Sequence, residues 1–337
     1  MRFADYTTLH VGGEAANFIT AASEAELITA IRQADSADLQ VLILGGGSNL
    51  LVSDEGFAGL VVHADVRQVV VEEFDDQIVV TAACGEPWDA FVVTCLSSGF
   101  NGLEALSGIP GTVGATPIQN VGAYGVEVAH LIRSVRVWDR QLQELRDLTR
   151  SECSFTYRGS IFKVDPDRFV VLAVSFTLTR SLTSPIAYAQ LAAALGLEVG
   201  DRAAPSEIRE AVLHLRLSKA MVLVREDHDS WSAGSFFTNP IVDAAQADAL
   251  PADCPRYPSE QGVKISAAWL IEQSGIQRGY GLNDRARIST KHTLALTNRG
   301  TASTADIVEL ARDVRQKVQT HFGIELLPEV RCVGCSL

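Results

Sequence analysis

The chain has 337 residues, 47% hydrophobic and 20% charged, the balance of an ordinary globular protein with room for two or three domains. Its formal net charge of −13 excludes a protein that wraps a nucleic-acid backbone, yet a local basic pocket can still hold a small anion. No apolar run approaches the roughly 20 residues needed to span a bilayer, and Met1-Arg2-Phe3-Ala4-Asp5-Tyr6 lacks the apolar stretch of a signal peptide. A cytoplasmic protein with no membrane and no nucleic-acid partner is therefore expected.

Ser23-Glu24-Ala25-Glu26 reads as a capping box, with Leu27, Ala30, Ile31 and Ala34 at helical spacing behind it. Val41-Leu42-Ile43-Leu44 is a short buried strand that runs straight into Gly45-Gly46-Gly47-Ser48-Asn49. Strands are expected at 59–63, 69–72 and 77–82. Pro87 suits the first turn of a helix that buries Phe91, Val92, Cys95 and Leu96 and stops at Gly99.

The segment 108–125 follows, Gly-Ile-Pro-Gly-Thr-Val-Gly-Ala-Thr-Pro-Ile-Gln-Asn-Val-Gly-Ala-Tyr-Gly. It is too rich in glycine for a regular helix or a sheet interior. It reads as a long shaped loop with bare backbone amides, given packing material by Ile109, Val113, Ile118, Val121 and Tyr124. Loops of this length inside a compact domain are usually functional.

Strands are expected at 134–139 and 169–179, and a domain boundary at 180–185, where small polar residues take over. Pro205-Ser206 opens a helix carrying Ile208, Ala211, Val212 and Leu215. A further helix is expected over 264–273, stopped near Gly275. Ser303 caps a last helix with Ile307, Leu310, Ala311, Val314 and Val318 inward, and a final strand is expected over 324–333. The order is mixed α+β, not a regular βαβ ladder, which argues against a doubly wound dinucleotide fold. Of six cysteines (Cys84, Cys95, Cys153, Cys254, Cys332 and Cys335) only the last two form a CxxC, with no second pair or nearby histidine. Free thiols and no metal site are expected.

The two glycine-rich loops carry the first functional signal. Concave arrays of backbone amides bind phosphate oxygens even in an acidic protein. The 45–49 loop is not a dinucleotide fingerprint, since Leu50 stands where a third glycine would be needed, and no phosphate-loop lysine follows. Alone it is equally well a tight turn. Two such loops together suit a long ligand with two phosphates.

LGGGSNLL at 44–51, the 108–125 loop, FTYRGSIFK at 155–163, GSFFTNP at 234–240 and PEVR at 328–331 occur in an order that resembles one family. It is that of the UDP-N-acetylenolpyruvoylglucosamine reductases, flavoenzymes that make UDP-N-acetylmuramate for bacterial peptidoglycan. The resemblance runs from about residue 8 to 333. It implies an α+β protein with a two-lobed FAD-binding domain of the vanillyl-alcohol-oxidase type over 8–181, its lobes at about 8–64 and 65–181. A substrate-binding region would follow over 182–337, closing over the substrate, with the last strand returning to the active site.

The resemblance assigns non-covalent FAD to Gly45, Gly46, Gly47, Ser48, Asn49 and Leu50. It adds Gly108, Ile109, Pro110, Gly111, Gly114, Ala115, Gln119, Asn120, Gly122, Ala123, Tyr124 and Gly125 from the second loop. NADPH is the implied co-substrate, UDP-N-acetylglucosamine-enolpyruvate the substrate, and a monomer the expected state. Hydride would go from the flavin to C3 of the enolpyruvyl group, with a proton delivered to C2.

Three residues match the family's catalytic positions: Ser235 as proton donor, and Glu329 with Arg158 polarising the substrate carboxyl. From the residues alone, Ser235 is a turn serine between Gly234 and two buried phenylalanines, and Arg158 a solvated loop charge. Glu329 and Arg331, two apart on an expected strand, share one face. Tyr188 matches a substrate-gating tyrosine, and Lys219, Asn239, Tyr257, Lys264 and Arg331 match substrate contacts. His292 has no partner pattern and reads as structural. A flavin oxidase on the same fold, or a flavoprotein that binds without catalysis, is disfavoured. His10 and His63 lie outside the glycine loops, so no covalent flavin link is evident, and the trio would have no purpose in a binding protein.

Overall fold

The computed structural model describes residues 1–74 and 77–337. The chain folds as two compact units: one of Ala16–Gly46 and Ala58–Ser218, the other of Met1–Ala15, Gly47–Phe57 and Lys219–Leu337. The larger unit holds two sheets. In the first, Val41–Leu44 pairs in parallel with Phe57–Ala64, which also neighbours Ala15–Ala21. The helix Glu24–Ser36 covers it with Leu27, Ala30, Ile31 and Ala34, and Ser23 caps that helix by accepting the Glu26 N–H. The serine cap is thus the one expected, but the return bond of the capping box is displaced by one residue, Glu26 accepting the Ala22 N–H at 2.8 Å in place of that of Ser23.

The second sheet is antiparallel throughout, in the order Glu144–Thr149, Ile132–Asp139, Phe169–Leu178, Gln77–Ala83, Val69–Phe74. The helix Trp88–Ser97 packs on it through Trp88, Phe91, Val92 and Cys95. Both sheets end at the glycine loops, which is how the fold positions the site. Val41–Leu44 runs directly into Gly45, and the helix that opens after Pro87 is bonded to the second loop, Trp88 donating to the Gly111 carbonyl at 3.0 Å.

Residues 182–218 pack within this larger unit, so its chain continues past the 180–185 segment, where a boundary is expected, to Ser218. Ile186, Leu191, Ala192, Ala203, Ile208 and Val212 form a small apolar cluster there, with Tyr124 of the glycine loop against it. That contact outweighs the polar composition of 180–185, because burying an apolar face decides which body a segment joins.

The other unit is built around the helix Thr304–Phe322. Ser303 and Asp306 form a reciprocal capping box at its start, and Gly323 ends it. Ile307, Leu310, Ala311, Val314 and Val318 are buried as the periodicity predicts. A three-stranded sheet (Ile241–Val242, Gly262–Ile265, Arg256–Ser259), a ribbon of Ala286–Ile288 with Leu296–Asn298, and a parallel pair of Leu50–Val52 with Arg331–Val333 complete it.

Two expected elements are shorter than the pattern predicts. Residues 262–265 are strand, and the following helix is Ala267–Gln273, capped by Ser266. The expected strand over 324–333 is regular only at Arg331–Val333, with Pro328 bridging to Phe237 before it. Among the described residues no helix is long and apolar enough to cross a membrane.

Candidate active site

In the larger unit the two glycine loops touch. A Cβ on Gly46 would stand 2.7 Å from the Gly111 Cα, and one on Gly45 2.5 Å from the Thr112 Oγ1. Only bare backbone fits at this approach. The 108–125 loop is nevertheless not the array of free amides that its composition suggests. The N–H groups of Val113 and Gly114 donate to Glu86 and Cys84, and those of Ala115, Thr116, Ile118, Asn120 and Val121 donate within the loop itself. Gly108 N–H donates to the Asp89 carboxylate at 2.6 Å. Buried backbone must be satisfied, and here satisfaction makes the loop rigid. Its glycines serve close approach more than amide display.

Asn120 belongs to that scaffold. Its side-chain NH2 donates to Glu127 at 2.7 Å and to the Thr156 carbonyl at 3.1 Å, while its Oδ1 accepts the Ala129 N–H at 3.1 Å. The side chain expected to reach the flavin is thus committed to shaping the loop. Arg158 continues the same network. It sits at the left-handed φ of +52° in a turn closed by Thr156 and Gly159. Its Nη2 donates to the Gly122 carbonyl at 2.9 Å and its Nη1 to that of Asn120 at 3.4 Å. Arg158 is therefore fastened to the glycine loop and is no solvated loop charge.

A residue the sequence reading passed over stands behind the loop. Arg216, on the helix Pro205–Ser218, is 6% exposed, and its Nε lies 3.4 Å from where a Gly108 Cβ would be. Burial pulls its pKa down, while Tyr124 and Asp89 favour its charge. Arg209 on the same helix forms a bidentate pair with Asp89 at 2.7 and 2.8 Å, and Asp89 in turn holds Gly108. The only sequence signal for Arg216 was its helical spacing from Val212 on the buried face, a position where a cation is unusual. Tyr124, at φ +49°, is half-buried, which raises its pKa, and the exposed Tyr188 meets its ring edge-on at 5.9 Å between centroids.

In the other unit Ser235 and Glu329 lie on segments bonded to each other. Glu329 N–H donates to the Phe236 carbonyl at 2.8 Å, and Thr238 N–H to that of Leu327 at 3.0 Å, with Phe237 bridged to Pro328. Phe236 and Phe237 are fully buried and anchor the serine's segment. Glu329 lies in a bend before the strand, with Val330 buried and Arg331 exposed, so the shared face expected for Glu329 and Arg331 does not arise from strand alternation. Their tie is instead Asn49, whose carbonyl accepts the Arg331 N–H at 3.0 Å and whose Nδ2 donates to the Glu329 carbonyl at 3.2 Å. Leu50, the residue after Asn49, then pairs with Arg331 in the parallel ribbon.

His292 is not the isolated structural residue expected. Its Nε2 is 3.4 Å from the Ser235 Oγ, because Phe236 N–H donates to the Leu294 carbonyl and Ser289 holds the His292 N–H. Tyr257 and Lys264 are opposite partners on neighbouring strands, with the ammonium 6.0 Å from the ring centroid. Asn239 Oδ1 accepts the Ala267 N–H at 2.9 Å, tying it to the start of the helix Ala267–Gln273. Lys219 stands in the turn just after the helix Pro205–Ser218.

The loop-on-loop contact fits a cofactor whose backbone must lie against bare main chain, and FAD is such a cofactor. The sequence profile described as an FAD binding domain matches residues 15–145, and that described as the UDP-N-acetylenolpyruvoylglucosamine reductase C-terminal domain matches 226–333. The fold is thus that of an FAD-containing oxidoreductase, with an FAD-binding domain followed by a C-terminal domain. The chain is 51% identical to the UDP-N-acetylenolpyruvoylglucosamine reductase of Thermobifida fusca, over 99% of this chain and 97% of the relative. It is 50% identical to that of Saccharopolyspora erythraea, over 99% and 95%. The crystal structure of the Thermus caldophilus reductase superimposes with a TM-score of 0.68 at 25% identity, covering 99% of this chain and 97% of the other. The chain belongs to the UDP-N-acetylenolpyruvoylglucosamine reductase family.

Proposed function

We propose that this protein reduces the enolpyruvyl ether of UDP-N-acetylglucosamine to UDP-N-acetylmuramate, a cytoplasmic step of peptidoglycan synthesis, with NADPH as the electron source. When bound, FAD supplies the hydride, taken from NADPH and delivered to C3 of the enolpyruvyl group. The residues of the chain do the rest. Gly45–Leu50 and the 108–125 loop bind FAD without a covalent link, with Arg216 as a buried positive charge behind the second loop.

The observation that carries this reading is the pairing of the Ser235–Thr238 stretch with residues 327–329, which brings the serine's and the glutamate's backbones together. Ser235 gives its hydroxyl proton to C2. A hydroxyl is a weak acid, but a fixed donor beside a strongly basic carbon needs little acidity. His292, 3.4 Å from that oxygen, orients the hydroxyl and is within reach to return a proton to it. Arg158 neutralises the substrate carboxylate as charge builds towards C2, and Glu329 polarises the same carboxyl group. Lys219, Lys264, Tyr257, Asn239 and Arg331 hold the diphosphate and sugar, and Tyr188 folds over them.

Anaerobic stopped-flow absorbance separates the two halves of the reaction. In Ser235→Ala, bleaching of the flavin by NADPH keeps its rate within about threefold, while its return on adding the enolpyruvyl substrate slows by about 10²- to 10⁴-fold, the range of a lost general acid. Equal slowing of both halves would make Ser235 structural and sink the assignment.

A further inference from the structure

The two cysteines of the CxxC take no part in the chemistry above, yet the fold brings them together. Cys332 sits opposite Leu51 in the parallel ribbon, and the strand ends at Val333. Gly334, at a φ of +67°, then turns the chain back, a conformation that a side chain would strain. The turn lays Cys335 against the same neighbouring strand, where its thiol donates to the Leu51 carbonyl at 3.3 Å, a bond given up when the thiol ionises, so both cysteines flank Leu51. Both are partly exposed, whereas Cys84, Cys95, Cys153 and Cys254 are buried.

The pair is asymmetric. Cys332 donates to Cys335, which brings the Cys335 thiol down to about 7 and drives that of Cys332 upward. Burial raises the thiols of Cys84, Cys95 and Cys153 to about 12, which leaves them unreactive. Among the described residues no group of three or more His, Cys, Asp or Glu side chains could hold a metal ion, so the CxxC is not one corner of a larger ligand set.

We propose that Cys332 and Cys335 form a reversible thiol–disulfide site whose reaction partner is a small-molecule disulfide. Cys335, as the thiolate, attacks one sulfur of the partner. The partner's S–S bond breaks, a mixed disulfide forms on Cys335, and one thiolate leaves. Cys332 then loses its proton and attacks the Cys335 sulfur, closing the Cys332–Cys335 bond and expelling the second thiolate. The protein gives up two electrons and two protons, and the partner is reduced to two thiols. This site stands independently of the reaction proposed above. It lies close to that machinery in the chain, since Arg331 precedes Cys332 and is bonded through Asn49 to Glu329.

The FAD-loaded protein is equilibrated against mixtures of reduced and oxidised glutathione, acid-quenched, alkylated and digested with trypsin, and the peptide beginning at Cys332 is weighed. The expected result is loss of two hydrogens from that peptide, reversed by dithiothreitol, while the four buried cysteines stay reduced. In Cys332→Ser the reaction stops at a glutathione adduct on Cys335. In Cys335→Ser, capture of glutathione is about tenfold slower or more, as expected for a thiol without a depressed pKa. A peptide that remains a dithiol across the whole series, or buried cysteines that oxidise before it, would overturn the proposal.

Discussion

Gly46→Ala tests the contact between the two glycine loops without disturbing backbone torsion, because Gly46 does not occupy the left-handed region. The added methyl would stand 2.7 Å from the Gly111 Cα and 3.2 Å from its carbonyl carbon. The first distance is about 0.8 Å inside the 3.5 Å lower limit of ordinary carbon–carbon contact. Both atoms are main chain, so no rotamer change relieves the clash. The Gly111 carbonyl is held by the Trp88 N–H, and the Val113 and Gly114 N–H groups just beyond it are held by Glu86 and Cys84. The 45–49 loop must therefore move. Overpacking of this kind costs about 1–3 kcal/mol, and a cradle displaced by most of an ångström should lose FAD affinity by about 10- to 100-fold, or about 1.4–2.8 kcal/mol. Affinity is measured by quenching of FAD fluorescence on titration with the apoprotein, and folding is checked by thermal unfolding. Gly196→Ala is the control: its φ is +68°, nothing lies within 4 Å of the new Cβ, and it should cost about 1 kcal/mol of stability with unchanged FAD affinity. A Gly46→Ala protein that binds FAD within twofold of the parent would refute the close-approach argument.

Arg216→Met should keep the fold, since an apolar chain replaces a desolvated cation, but weaken FAD binding by about tenfold if the guanidinium serves the cofactor. Full flavin occupancy at low FAD concentration would show that Arg216 only packs the helix. Tyr188→Ala should raise the substrate Kd several-fold and leave flavin affinity untouched, since the ring is exposed and meets Tyr124 edge-on; calorimetry with substrate decides it. Asp139 is fully buried and accepts hydrogen bonds from Arg168, Arg146 and the Gln141 and Leu142 N–H groups. Burial alone would raise its pKa, but these partners bring it down to about 2. Its folded pKa lies below the unfolded value, so its stabilisation is present above about pH 4 and is lost as pH falls towards 2, about 2 kcal/mol in all. Asp139→Asn should cost at least that at pH 7 and flatten the acid limb of the stability curve in urea titrations; an unchanged acid limb would mean that Asp139 is not the titrating group.

Much of the framework was legible because local rules and tertiary packing agree there. Ser23 and Ser303 cap helices as their sequence context requires, and the 3.6-residue periodicity of Ile307, Leu310, Ala311, Val314 and Val318 is the face that is buried. The expected helix over 264–273 began too early because Lys264 and Ile265 fit a helical spacing, whereas pairing with Arg256–Ser259 claims them for a strand. The strand expected over 324–333 was too long because Pro328 fits an edge strand as well as a break, and it is the bridge to Phe237 and the bend at Glu329 that leave only Arg331–Val333 regular.

The site divides along the same line. What the sequence determined by itself was the two glycine loops, Ser235 between Gly234 and a phenylalanine pair, and the PEVR segment, because each is a short contiguous stretch whose chemistry is written in neighbouring residues. What only the tertiary structure decided were relations across tens to hundreds of residues. It set Gly46 on Gly111, fastened Arg158 to the Gly122 carbonyl, put His292 beside Ser235, and joined Asn49 to Glu329. It also showed that the N–H groups of Gly108, Val113, Gly114, Ala115, Thr116, Ile118, Asn120 and Val121 already have partners, since buried backbone must find them and only the folded chain says which.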